Sequence, residues 1–196
     1  MKTTTEAILQ KFKFRSTRDN LPMSPPRGDR NNLAELFGEI GLNKGVEVGT
    51  QRGLYAKVLC EKNPNIELVC VDPWCAFNKR VTLEVQDANF RLAQENTLGH
   101  NVKFMRMFSM DAVIQFADES LDFVYIDGDH TFDHAAMDII CWSKKVRSGG
   151  IVACHDYFHF FRSGVVQAVD AYTHCNMIDP WFCTREAMPT AFWVKL

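Results

Sequence analysis

The apolar positions of this chain change period repeatedly. Leu33, Leu36, Phe37 and Ile40 recur at helical spacing, which predicts a helix from Asn31 that Gly41 stops. The runs "GVEV" (45–48), "IELVCV" (66–71), "VKFMRM" (102–107), "LDFVYI" (121–126) and "IVAC" (151–154) are too short for buried helices and read as strands. Helical stretches separate them. One covers 54–62, a second puts Val81, Val85, Ala88 and Leu92 on one face, and a short one covers 111–116. A stripe of Phe132, Ala135, Ala136, Ile139 and Ile140 makes another, after which Gly149 and Gly150 turn the chain into its fifth strand. A further helix is expected at 165–172, and "WFCTREAMPTAFWVKL" gives two strand-like runs broken at 186–189.

Strands alternating with helices predict an α/β fold, a Rossmann-like doubly wound sheet, mostly parallel, with helices on both faces. The two final runs suit an antiparallel C-terminal hairpin added to the sheet edge. Residues 1–30 are polar, and "NLPMSPPRGDR" is rich in prolines, so this part reads as a leader or cap ahead of a domain at 31–196.

Composition narrows the partners. The chain has 196 residues, 46% of them hydrophobic, enough for a single core. Its 22 basic and 24 acidic residues are mixed along the chain, so no global field attracts nucleic acid or anionic lipid. No apolar stretch is long enough to span a bilayer, and the N-terminus lacks a signal-peptide core, so a cytoplasmic protein is expected. Seven cysteines without a C-x-x-C pair argue against a zinc knuckle or a disulfide framework.

The chemistry begins at "GVEVGTQRG" (45–53). Gly49 and Gly53 follow the first strand, where absent side chains let a ligand approach the backbone and the next helix offers its N-terminal amides. Glu47 precedes the loop; a phosphate would avoid it, whereas a cationic amino group would not. The spacing E-x-G-x-x-x-G also departs from the G-x-G-x-x-G of nicotinamide and flavin enzymes. Asp72, closing the second strand in "CVDPW", is placed to accept from two ribose hydroxyls. The fourth strand ends in "IDGDH" and the fifth in "CHDY", so Asp127, Asp129, His130, His155 and Asp156 can converge on the rim that carries the glycine loop.

The motifs "VEVGTQRG", "VDPW", "FSMDA", "YIDGDHTFD" and "GGIVACHDY" resemble, in order and spacing, the class I S-adenosylmethionine-dependent methyltransferases. More narrowly, they resemble the small O-methyltransferase branch that includes catechol and macrolide-sugar enzymes. The resemblance covers about 31–196 and implies a seven-stranded sheet whose last strand is antiparallel. It implies that Gly49, Thr50 and Gly53 line the methionine part of S-adenosylmethionine, with Glu47 near its ammonium and Asp72 on the ribose. Ser109, Met110 and Asp111 would flank the adenine. Asp111 is a candidate for the exocyclic amine or a helix N-terminal carboxylate, and Trp74 either covers the cofactor or packs in the core.

By the same resemblance, Asp127, His155 and Asp156 would hold a divalent metal, and His130 would be the base. Oxygen ligands suit Mg, whereas an imidazole at 155 shifts preference toward Mn, Fe or Zn. Asp129 has a second reading as a helix cap and His155 as a structural histidine, while His134 is expected to face solvent or to pair with Asp138. Phe158, Phe160 and Phe161 either line a pocket or shield the site. The acceptor implied is a hydroxyl of a small molecule or sugar, with no nucleic acid and no membrane, and a homo-oligomer is compatible with it. The alternatives carried forward are an NAD-dependent Rossmann-type oxidoreductase or sugar-modifying enzyme, and a catalytically inactive cofactor-binding module.

Overall fold

The computed structural model describes residues 2–14 and 21–196; Met1 and residues 15–20 lie outside them. Among the described residues the elements run α1 (Thr4–Lys11), α2 (Arg30–Glu39), β1 (Lys44–Val48), α3 (Leu54–Lys62), β2 (Glu67–Val71), α4 (Leu83–Asn96) and β3 (Val102–Met105). They continue with α5 (Ser109–Val113), β4 (Leu121–Ile126), α6 (Phe132–Ser143), β5 (Val146–Cys154), α7 (Val165–Cys175), β6 (Trp181–Cys183) and β7 (Ala191–Val194). The seven strands form one sheet in the order β3-β2-β1-β4-β5-β7-β6. Pairings from β3 through β5 are parallel, and β7 runs antiparallel to both β5 and β6. The expected α/β sheet with an edge hairpin is therefore present. Strand order reverses between β1 and β4, which opens a crevice at their carboxyl ends.

Alternation along each strand makes two cores. Phe123 and Tyr125 of β4 pack into one cluster with α2 and α3, while Val124 and Ile126 pack into the other with α6 and α7. Phe37 stacks on Phe123 with ring centroids 4.3 Å apart. Gly45 makes room for that ring, since a Cβ there would sit 2.1 Å from it. Asp29 starts α2 by accepting from the backbone N–H groups of Asn31 and Asn32.

The segment read as a leader or cap contains a helix that the sequence pattern did not signal: α1 begins with a capping box between Thr3 and Glu6 and buries Ile8, while Phe12 and Met23 join the same core cluster. Met23 also forms a bridge with Phe182. In α4 the apolar face expected from Val85 and Leu92 is exposed, and Gln86 and Ala93 are buried instead. Polar Gln86 turns inward because this side of α4 borders the crevice. Gly149 and Gly150 do not precede the fifth strand but lie inside β5, where the register with β4 shifts between Leu121 and Phe123. A bulge absorbs the extra residues, with Gly149 at a φ of +77°. No helix among the described residues is long and apolar enough to cross a membrane.

Candidate active site

A cleft of about 860 Å³ occupies the crevice above β1, β2 and β4. Glu47, Gly49, Thr50, Asp72, Ser109, Met110, Asp127 and His130 all line it, so loops distant in sequence meet there. Gly49 takes a φ of +89°, and Gly53, at +71°, starts α3 against Ala93. Asp72 ties two loops together: its Oδ2 accepts from Gln51 N at 2.9 Å and its Oδ1 from Trp74 N at 2.8 Å. Burial raises its pKa, and these two N–H groups oppose the rise.

Glu47 is buried at the back of the cleft between Cys70 and Tyr125. Burial, with a contribution from Asp127, lifts its carboxyl from 4.5 to about 8. The folded protein therefore keeps this proton up to about pH 8, whereas the unfolded chain loses it near 4.5. Between those values the unfolded state binds fewer protons, so stability falls as pH rises across the window. Glu47→Gln is expected to remove that slope and stabilise the ligand-free protein at pH 8 by on the order of a few kcal/mol, read from urea unfolding at pH 5, 6.5 and 8.

On the adenine side the structure takes the core-packing reading for Trp74 and the helix N-terminal reading for Asp111. Trp74 does not line the cleft; it is fully buried, packs on Phe90 at 4.7 Å between centroids and donates from Nε1 to Gln51 O at 2.8 Å. Phe77 and Pro73 line the cleft on that side. Asp111 is exposed in the first turn of α5, outside the cleft lining, because that turn presents it to solvent. The carboxylate that does reach the cleft is Asp138 of α6, to which Ser109 Oγ donates. Its position in register with Ala135, Ile139 and Trp142, an apolar helical face, was the available signal.

Charged groups converge at the ends of β4 and β5. His130 Nε2 lies 2.8 Å from Asp156 Oδ2 and 3.7 Å from Asp127 Oδ1. His155 Nδ1 lies 3.1 Å from Asp156 Oδ1 and 3.4 Å from Asp127 Oδ1. Contact with Asp127 and then Asp156 lifts His130 to about 10, and the two imidazoles hold Asp156 well below the usual carboxylate range against its burial. Arg30, which the sequence did not flag, approaches from the start of α2 with Nη1 2.9 Å from His155 Nε2. A guanidinium only donates, so Nε2 is an acceptor and the His155 proton sits on Nδ1, facing the carboxylates. Burial lowers the His155 pKa, but Asp127 and Asp156 outweigh it and lift the imidazole to about 9; the Arg30 contact, which needs Nε2 as an acceptor, opposes that rise. Tyr55 supports Arg30 from below, its ring 5.3 Å from the guanidinium and its hydroxyl donating to the Arg30 carbonyl.

The neighbouring histidines are peripheral. His134 Nδ1 lies 2.8 Å from Thr131 Oγ1 and 3.5 Å from Asp129, not against Asp138, because the α6 start turns it outward. Asp129 accepts from Thr131 N at the entry to α6. His159 is exposed in a loop beyond β5, where Phe160 meets the His130 ring edge-on at 5.6 Å and Phe161 faces solvent.

A family profile described as a methyltransferase domain matches residues 46–157, from within β1 through β5 and thus through the loops that carry Gly49, Asp72, Ser109, Asp127 and Asp156. The chain belongs to the methyltransferase-domain family. The match assigns the glycine loop to a methyltransferase domain rather than to an NAD-dependent oxidoreductase. This methyltransferase domain is 28% identical over 130 residues to the uncharacterized protein R132 of Acanthamoeba polyphaga mimivirus. That match takes in 64% of the chain and 56% of the viral protein, so the chain spans little more than half of that relative. Among solved structures it resembles an O-methyltransferase from Bacillus cereus in complex with SAH, at a TM-score of 0.59 and 18% identity over 98% of this chain and 90% of that one. It also resembles the O-methyltransferase TomG from Streptomyces achromogenes in complex with SAM, at 0.57 and 15% over 98% and 89%. At these identities the likeness concerns the fold, which for this methyltransferase is the class I fold.

Proposed function

We propose that the protein transfers the methyl group of S-adenosylmethionine to a hydroxyl of a small molecule or sugar, activating that hydroxyl at the Asp127, His130 and Asp156 cluster. The carrying observation is that the glycine loop and Asp72 open onto the same cleft as Asp127 and His130. A sulfonium methyl held by the first pair lies within reach of an oxygen held at the second, the arrangement an in-line displacement needs. Family membership and the SAH-bound and SAM-bound fold neighbours support the reading.

Each group then has a task. Asp72 takes the ribose hydroxyls on the lone pairs that Gln51 and Trp74 leave free. Glu47, neutral in the free protein, ionises as the ammonium arrives behind Thr50, so binding releases a proton below about pH 8. Ser109 and Met110 border the base. Arg30 holds His155, whose Nδ1 faces Asp127 and Asp156 at ion-pair distance.

The charged cluster fits a divalent cation. His130 Nε2, His155 Nδ1 and Asp156 Oδ1 are buried without a hydrogen-bond partner among the described residues. Asp127, His130 and Asp156 each bring a ligating atom within 4.8 Å of the others, and these three would hold the ion. A mixed imidazole and carboxylate set suits Mn, Fe or Zn better than Mg. When bound, such an ion supplies Lewis acidity that lowers the pKa of a hydroxyl. This reading exchanges the two histidines relative to the family resemblance: His130 joins the ligands, and His155 stays outside because its lone pair is turned to Arg30. His130 is also a poor base as it stands, since it carries its proton up to about pH 10.

Calorimetric titration with S-adenosylmethionine, S-adenosylhomocysteine and NAD, each with and without Mn²⁺, tests the reading. Micromolar binding of the first two is expected. Mn²⁺ heat is expected to be lost in Asp127→Ala and His130→Ala and retained in His155→Ala. Binding of NAD in their place would overturn the methyltransferase reading. Cofactor binding with no metal heat would leave a cofactor-binding module and remove the metal.

A further inference from the structure

Neither the fold nor the chemistry above makes use of Asp138. It stands on α6, only 4% exposed, on the face shared with Ala135, Ile139 and Trp142, and it lines the cleft beside Ser109. Trp142 Nε1 donates to Ser109 Oγ at 2.8 Å. Ser109 Oγ in turn donates to Asp138 Oδ1. Oδ2 accepts no hydrogen bond among the described residues and lies beside Gly128, where an added Cβ would come within 3.5 Å of it. A carboxylate on an apolar helix face costs free energy unless a partner uses it. Phe108, Met110 and Met137 line the same cleft and supply apolar side chains that a flat ring can pack against. Asp111, the other acid on this side, is exposed and outside the lining.

We propose that Asp138 reads the exocyclic amino group of the cofactor's adenine through Oδ2, while the Trp142 and Ser109 relay fixes the orientation of its carboxylate. The inference rests on the S-adenosylmethionine reading. The relay gives it a directional consequence. In Asp138→Asn the Ser109 proton still needs an acceptor, so the amide oxygen takes the Oδ1 place and the amide N–H₂ faces the cleft. That donor opposes an amino group and suits a carbonyl.

The test compares S-adenosylhomocysteine, S-inosylhomocysteine, whose base carries a carbonyl at that position, and the purine analogue that lacks only the amino group. Titrations are run at pH 8, where Asp138 is ionised even though burial lifts it to about 6. The wild type is expected to prefer the adenosyl compound by about tenfold or more over both analogues. In Asp138→Asn, checked for folding by circular dichroism, the preference over the inosyl compound is expected to vanish or reverse. Equal binding of the adenosyl and purine compounds to the wild type would overturn the inference without recourse to any variant. An unchanged ratio in the folded variant would do the same, and both outcomes leave the cofactor assignment standing. A wild type that binds none of the three overturns the cofactor reading itself, and this inference with it.

Discussion

Asp72→Ala is expected to weaken S-adenosylhomocysteine binding by roughly a hundredfold or more while leaving the sheet intact. Two losses combine. The carboxylate that would hold both ribose hydroxyls is gone, and each hydrogen bond to a charged acceptor contributes about 1.5–3 kcal/mol. The same side chain also joins the loops after β1 and β2 through Gln51 N and Trp74 N, so the loop proposed to cradle the methionine end is expected to loosen as well. Asp72→Asn separates charge from shape, because one of its two terminal atoms becomes a donor facing a backbone N–H that also donates. A loss close to that of the alanine variant is expected. Calorimetry gives the affinities, and near-ultraviolet circular dichroism reports on Trp74, which the Asp72 bridge helps position. Retention of affinity within threefold in both variants would remove Asp72 from the cofactor site.

The elements that could be read from the sequence are those where one physical signal dominates. In β1, β2 and β4 apolar runs of strand length are flanked by turn residues, and the helix at 54–62 matches α3. The outward-facing side of α4 was misread because Val85 and Leu92 have helical spacing, yet burial goes to the Gln86 and Ala93 face that meets α3 and the cleft. Spacing specifies which residues share a face, not which face meets the core. α1 escaped notice because its short apolar pattern lies in a polar segment, and tertiary contacts make it part of the domain: Ile8 and Phe12 join the core cluster, and Phe12 meets distant Phe192.

The candidate site follows the same division. Asp127, His130, His155 and Asp156 were legible because they end adjacent strands, and parallel order brings such ends together. Arg30 was not, since its approach to His155 across 125 positions depends on how α2 lies over the sheet. The roles of His130 and His155 depend on that contact, so strand-end position alone could not assign them. Trp74 illustrates the converse. Its place beside Asp72 suggested a ligand contact, but its indole finds a better partner in the Gln51 carbonyl and a core of Phe90 and Phe104.

Gly49→Ala tests the scaffold that holds both halves of the site. Gly49 N donates to Val71 O and Asp127 N donates to Val48 O, so the ends of β1, β2 and β4 are bonded through this point. A Cβ at 49 would stand 2.0 Å from the Asp127 carbonyl oxygen, which is backbone and cannot rotate aside. The φ of +89° adds conformational strain of about 1–2 kcal/mol for any residue with a Cβ. Together the clash and the strain are expected to cost at least about 3 kcal/mol, a large share of the roughly 5–15 kcal/mol that holds a typical domain together. Gly41→Ala supplies the comparison: its φ is also positive at +72°, but nothing lies within 4 Å of the added carbon. It is expected to lose only the strain, about 1 kcal/mol. Urea midpoints for the two variants measure the difference directly. Any Gly49→Ala protein that still folds must push Asp127 away from β1, and should lose S-adenosylhomocysteine binding and Mn²⁺ heat together. Equal midpoints for the two variants would mean that β1 and β4 do not approach this closely, and the shared cleft would lose its structural basis.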